Sequence, residues 1–282
     1  MVAFCILTFA QTGHKFDPIS ISGDSLTINE YPNSDRIPDY SYCGYMASEV
    51  SLPDLLAAPG IPVIRLQAPE GDATALIQRA TDYAGSLPEV KDGFKAVVLL
   101  SKGIYKVEGS LRMSSSGVVL RGEGSESVIR GCGTARQTLL RIAGEGSEYL
   151  GKEIALECEY LPVNSSYLPL GEGHGLKAGD YVLITRPSTS DWIKEIGADL
   201  LGYYADYNLP AWKSGDFDLR FHRRVVEADP DGITVDVPLP QSFDRQWGGG
   251  TVRKSIRDGI IRNFAVENLC LESEFEAGRP KD

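Results

Sequence analysis

The sequence predicts an all-β solenoid with an amphipathic helix at its N-terminal end and a β-rich insertion between its coils. Three observations carry this reading. Strand-like runs of β-branched and aliphatic residues recur at a fixed interval: within "KAVVLL" (95–100), "GVVLRG" (117–122) and "TLLRIAG" (138–144), Val98, Val119 and Leu140 are each 21 residues apart. Shorter strands, "IYKV" with "SLRM" and then "SVIRG", fall between them, so each coil holds more than one strand. The 30 glycines and 16 prolines supply turns. A period of about 20 to 25 residues fits coils that stack to bury what none can bury alone. It places Val98, Val119 and Leu140 in one interior column of a parallel sheet. The same spacing in a β-sandwich is the alternative.

The elements follow in chain order. "VAFCILTFA" (2–10) is a nine-residue apolar run, too short to span a bilayer and suited to a secretory signal, with Thr8 and Ala10 small before Gln11. Only Met1 precedes it, so the basic leader is missing and 1–10 is read as a signal-peptide remnant of a secreted, periplasmic or cell-surface protein; a buried strand is the alternative. Residues 11–65, rich in Pro, Ser and Tyr from Tyr31, are expected as an extended arm packed on the outside. "GDATALIQRATDYAG" (71–85) is a helix with Asp72 or Thr74 as N-cap and Leu76, Ile77, Ala80 and Ala84 on one face, laid as a lid over the open end of the solenoid. Residues 66–282 are then the N-terminal part of the solenoid. Gly122, Gly124 and Ser127 follow a strand as the phosphate-binding glycines of a dinucleotide fold do, but no helix opens after them, so they are read as corner residues.

The segment 152–256 interrupts the coils. "AGDYVLITRPST" (178–189) is a strand with Asp180 in a tight turn, and "RRVVEADPDGITVDVPLP" (223–240) is a hairpin turning at Asp231 and Gly232. Between them Trp192, Tyr203, Tyr204, Tyr207 and Trp212 crowd together with Lys194, Lys213, Arg220, His222, Arg223 and Arg224. Aromatic faces suit the apolar faces of sugar rings, and cations pair with uronate or sulfate oxygens. The candidate substrate-contact set is therefore Trp192, Lys194, Tyr203, Tyr204, Trp212, His222 and Arg223, against an alternative in which the aromatics pack the insertion and the cations lie in solvent. Alternation in "LRFHRRVVEA" puts His222 and Arg224 on one strand face and Arg223 on the other.

Composition bounds the partners. A formal charge of -11 argues against nucleic acid, yet a local basic cleft can coexist with it and take an acidic polysaccharide. Cys5, Cys43, Cys132, Cys158 and Cys270 occur singly and His14, His174 and His222 lie far apart, so no metal site is expected. Cys132 and Cys270 are read as buried small hydrophobes.

"DYSYCGYMASEVSLPDL" (39–55), "GDATALIQRATD", "AVVLLSKGIYKVEGSLRMSSSGVVLRGEG" and "FAVENLCLESEF" (264–275) resemble the bacterial pectate-lyase-like right-handed parallel β-helix proteins, from about residue 39 to the end. Ala73 departs from the family's G-D-D-T-x-x-I-Q pattern, where a second Asp is usual. The superfamily includes polysaccharide lyases, glycoside hydrolases, epimerases and phage tailspikes, so the resemblance implies the fold more sharply than the reaction. It implies an exported carbohydrate-active enzyme, first a lyase acting by β-elimination on a uronate-containing polysaccharide, then a pectinase-type glycoside hydrolase or a non-catalytic glycan-binding protein. A lyase must neutralise the uronate carboxylate, for which a side-chain cation or calcium serves, and then remove and deliver protons. Catalytic residues of the family generally lie on middle coils, which here would follow "VENLCLESEF"; none is assigned. The final "FEAGRPKD" leads directly out of a strand, and the 282 residues are expected to be an inactive fragment of a longer enzyme.

Overall fold

The computed structural model describes residues 17–133, 136–200, 203–204, 207–208, 210–275 and 278, which are mostly β with few helices. The expected signal remnant 1–10, with Cys5, and His14 lie outside the described residues. Strands β1 (Ile19–Ser22) and β2 (Ser25–Ile28) are followed by β3 (Val63–Leu66), helix α1 (Thr74–Ser86), β4 (Ala96–Leu100), β5 (Gly103–Val107), β6 (Leu111–Met113), β7 (Val118–Gly122), β8 (Ser127–Gly131) and β9 (Leu140–Ile142). Next come β10 (Glu148–Ala155), β11 (Tyr160–Leu161), β12 (Tyr167–Pro169), β13 (Tyr181–Arg186), helix α2 (Ser190–Glu195), β14 (Tyr203–Tyr204), β15 (Tyr207–Asn208), β16 (Leu219–Asp229), β17 (Gly232–Val235), β18 (Phe243–Asp244) and β19 (Thr251–Arg257). The last strands are β20 (Ala265–Glu267) and β21 (Cys270–Ser273). The chain divides into two compact units, Ser51–Glu148 with Arg257–Asp282, and Met1–Val50 with Tyr149–Ile256.

The first unit is parallel. Its sheets have the orders β20-β7-β4-β3, β21-β8-β5 and β6-β9, so each pass of the chain lays its strands into the sheets in the same sequence. The expected column of Val98, Val119 and Leu140 is not formed. Val98 pairs with Leu120, Val119 with Val97, and Leu140 with Leu111 in another sheet. The reason is that β4 is buried on both faces: Ala96, Val98 and Leu100 join the main core, while Val97, Leu99 and Val119 pack on the other side with Leu55, Ile61 and Phe94. A shift of one residue therefore moves a side chain from one apolar layer to the other without changing its type. The next partner of β7 is β20, beyond the insertion, with Val119 opposite Ala265.

Helix α1 covers the core with Ile77, Ala80 and Ala84, while Leu76 is only half-buried. Ala73, in place of the second Asp, is itself fully buried in this core. The helix also occupies strand edges. Ala73 N donates to Lys106 O at 2.7 Å. Asp72 Oδ1 accepts from Thr74 N at 3.0 Å and Glu108 N at 3.2 Å. The Gln78 amide meets Arg112 in both directions, donating to its carbonyl and accepting from its N–H, each at 2.9 Å. Edge groups of a sheet that would otherwise invite pairing are thus satisfied from within the chain. Gly122 and Gly124 form a corner: Gly124 has φ +114, and a Cβ on Gly122 would lie 2.5 Å from Asn268 O. Cys132 and Cys270 are half-buried rather than buried.

The expected arm 11–65 is more structured than an extended strand: β1 and β2 pair as a hairpin, and its last residues belong to β3. Within the second unit, Asp35 accepts from the Tyr160 hydroxyl and from Val163 N, and Asp39 N donates to Asn164 Oδ1 at 2.8 Å. This antiparallel unit is built on a six-stranded sheet of order β10-β19-β13-β16-β17-β12, in which β13 pairs antiparallel with β16 and β19, and β17 with β16 and β12; its core includes Leu168, Ile184, Val225, Ile233 and Phe243. The β16–β17 hairpin pairs Asp229 with Gly232, so its turn residues are Pro230 and Asp231.

Candidate functional site

Strand β13 ends at Arg186, and four residues later α2 begins under an N-cap: Thr189 Oγ1 accepts from Trp192 N at 3.3 Å and donates to Trp247 O at 3.0 Å. Ile193 is buried and fixes the helix, which leaves Trp192 half-exposed on the neighbouring side. The Arg186 guanidinium lies over the Trp192 ring, 5.0 Å from its centroid. From the following loop, Trp212 comes within 6.3 Å of Trp192 at an interplanar angle of 36°, and Phe217 stacks on Trp212 at 3.7 Å and 25°. The loop is held by Ser188, only 1% exposed, whose hydroxyl donates to Asp218 Oδ1 at 3.0 Å and accepts from Gly215 N at 3.2 Å and Phe217 N at 3.1 Å. The result is a shelf of Arg186, Trp192, Trp212 and Phe217, with Phe217 44% exposed at its end.

Of the residues expected from sequence, the shelf gathers Trp192 and Trp212, and Lys194 is exposed on the same short helix. Tyr203 and Tyr204 form β14, paired to β15, but their side chains lie outside the described residues, as does that of Tyr207. His222 and Arg223 are elsewhere. On β16, Leu219 is opposite Arg186 and His222 opposite Leu183, so His222 sits about 10 Å further along the ladder. Arg223 points inward: its Nε donates to Val237 O at 2.8 Å and its Nη2 to Pro238 O at 3.2 Å. Sequence reasoning missed Arg186 and Phe217. Arg186 ends an apolar strand six residues before Trp192, and Phe217 lies beside exposed charged residues, so only the fold brings them together.

Burial pulls the Arg186 guanidinium below its ordinary value, with Asp244 partly offsetting it, and burial does the same to Arg223 against Asp236. The parallel unit has a different concave feature, a cavity of about 350 Å³ between segments 143–148 and 257–261, lined by Gly144, Gly146, Arg257, Asp258 and Ile261 and by no aromatic ring. Among the described residues no three or more His, Cys, Asp or Glu side chains converge to hold a metal ion. Nor is any described helix long and apolar enough to cross a membrane.

No family model and no curated protein matches the chain. Similar solved structures include the Gp54 tailspike of Acinetobacter baumannii bacteriophage AP22 in complex with A. baumannii capsular saccharide, at 11% identity and a TM-score of 0.40 over 73% of this chain and 27% of that one. The tailspike gp49 from Pseudomonas phage LKA1 has 17% identity and a TM-score of 0.39 over 71% of this chain and 27% of its own. The Pseudomonas phage phi297 tailspike gp61 has 13% identity and a TM-score of 0.39 over 72% and 28%. This chain thus spans about a quarter of the length of each. TM-scores this low are too distant to carry a fold or an activity across.

Proposed function

We propose that the chain is part of a carbohydrate-active protein built on a right-handed parallel β-helix, and that its antiparallel unit offers the aromatic shelf to a polysaccharide. Three parallel sheets entered in the same order on successive passes support the solenoid reading, and crossovers between parallel strands of one sheet are right-handed in almost all proteins. The observation that carries the function is the stacked Trp212–Phe217 pair, kept at the surface by a buried serine rather than folded into the core. Flat rings held in place present area to a sugar face at little cost in side-chain entropy. The reaction we attach to this surface is that of a polysaccharide lyase on an acidic glycan, with glycoside hydrolysis as the alternative from the family resemblance.

Tryptophan fluorescence titrated with pectate, alginate and glycosaminoglycan fragments tests the shelf. Binding weakened about 10-fold or more in Trp212→Ala is expected; wild-type binding that this variant leaves unchanged removes the shelf from the function. Incubation with the same glycans tests the chemistry. An unsaturated product absorbing in the ultraviolet supports elimination, new reducing ends without that absorbance replace it by hydrolysis, and binding without cleavage reduces the role of this chain to glycan contact.

A further inference from the structure

Three described arginines of the antiparallel unit, Arg186, Arg223 and Arg253, are partly withdrawn from water, and they are used differently: Arg253 Nε faces Glu153 Oε2 at 3.4 Å. The fork of Arg223 is consumed by the chain: besides Val237 O and Pro238 O it reaches His222 O at 2.9 Å, and its Cζ lies 5.7 Å from the Phe221 ring centroid. Arg186 makes the Trp192 contact, and among the described residues its guanidinium makes no hydrogen bond and no ion pair. A guanidinium stays charged at any physiological pH. Asp244 offsets part of the cost of withdrawing this charge from water, but among the described residues no protein acceptor occupies the fork, which leaves its N–H groups to solvent or to a ligand.

Resting on the shelf reading above, we propose that Arg186 is the specificity-determining residue of the shelf, and that it takes an oxyanion, carboxylate or sulfate, borne by a sugar whose ring lies against the aromatic side chains. The planar fork matches two oxygens of such a group at once. The cation–π contact with the Trp192 ring restrains the guanidinium in advance, so less freedom is lost when a ligand arrives. Partial burial strengthens the pairing relative to one in open water. Long-range attraction does not explain it, because a chain of formal charge -11 repels anions at a distance. Recognition has to come from a local group, and Arg186 is the half-buried cation of the shelf.

The test is calorimetric titration of the full chain with paired oligosaccharides: galacturonate and guluronate oligomers beside their carboxyl-reduced counterparts, and sulfated galactan oligomers beside their desulfated ones. Wild type is expected to favour the anionic member of at least one pair, and which pair does so identifies carboxylate or sulfate as the group read. Arg186→Gln should weaken the anionic member about 10- to 100-fold and leave the neutral one within about 2-fold. Arg186→Lys, which keeps the charge and loses the fork, should fall between. It also carries the test if thermal melting shows that the glutamine variant is unstable. Equal binding of both members by wild type, or an equal loss for both in Arg186→Gln, overturns the assignment while leaving the shelf intact. Wild type binding none of these oligosaccharides overturns this assignment, and if the glycosaminoglycan fragments used for the shelf are not bound either, the shelf falls with it.

Discussion

In β4 of the parallel unit all five residues are buried, whereas in β16 of the antiparallel unit burial alternates from Leu219 to Val225, with Arg220, His222 and Arg224 outward and Phe221 and Arg223 turned in. The first strand lies between two apolar layers and the second between a core and solvent. The difference teaches where a sequence carries register. A strand covered on one side writes its orientation into the alternation of its residues; a strand covered on both sides is apolar throughout, and its partners are set by packing that the strand itself does not encode. The two units are also optically separable, because Trp192, Trp212 and Trp247 all belong to the antiparallel one.

The largest expected effect exploits that separation. Leu120, fully buried in the parallel core, should cost about 2 to 5 kcal/mol when replaced by alanine, read as faster amide exchange across residues 63–131. The tryptophan melting transition should hardly move. Ile184→Ala, in the core of the other unit, should reverse the pattern. Equal shifts of both signals in both variants would show that the chain unfolds as one cooperative body and that the contrast is one of topology only.

A smaller effect isolates a polar group inside the parallel core. The Tyr105 hydroxyl is buried and donates to Leu66 O at 2.8 Å, with Ser101 O at 3.1 Å. Tyr105→Phe leaves these carbonyls without that donor and should cost about 1 to 3 kcal/mol. Burial, followed by the charge of Glu123, pushes this phenol above its ordinary value of 10.0. A raised folded-state value means stability that is fully present below pH 10 and is lost as pH rises through the folded value. Amide exchange of the parallel unit followed from pH 9 upward should therefore show a fall in wild type that is reduced in Tyr105→Phe; identical slopes would assign the alkaline loss to other groups.

The same contrast explains what was legible. The alternation of "LRFHRRVV" places His222 and Arg223 on opposite faces, as they are, and of the α1 face that spacing predicts, Ile77, Ala80 and Ala84 are buried while Leu76 is half-buried. In the parallel unit the strands were readable and their pairing was not. An interval of 21 residues joined Val98 to Val119, and the register that packing selects joins Val98 to Leu120. Leu140 falls in a different sheet, opposite Leu111, because the chain after β9 leaves for residues 149–256, and the third strand beside β7 arrives only at Ala265. For the shelf, the crowding of tryptophans in one segment was visible. Arg186 was hidden in the end of an apolar strand, and Phe217 depends on the Ser188–Asp218 contact, which joins residues 30 apart.

The smallest expected effect lies where the parallel unit meets solvent, at the start of α1. Asp72 is exposed, yet its Oδ1 serves Thr74 N and Glu108 N, joining the first turn of the helix to the chain just after β5. Asp72→Ala should cost about 1 kcal/mol, the ordinary worth of a helix-capping acceptor, and the loss should appear in amide exchange of 72–110 with the tryptophan signal unchanged. The hydrogen bonds from Thr74, side chain first and then backbone, hold the Asp72 carboxyl below its ordinary value of 3.8, against a small opposing effect of burial. A depressed folded-state value means stability that is present above pH 3.8 and is lost as pH falls through the folded value, in an amount limited by the solvent around the group. Asp72→Asn separates the acceptor from the charge: asparagine caps as well as aspartate but does not titrate. It should match wild type at pH 7 and lack the Asp72 part of the acid loss. If Asp72→Asn is instead as destabilised at pH 7 as Asp72→Ala, then the negative charge and not the acceptor geometry holds the helix to the strand edge.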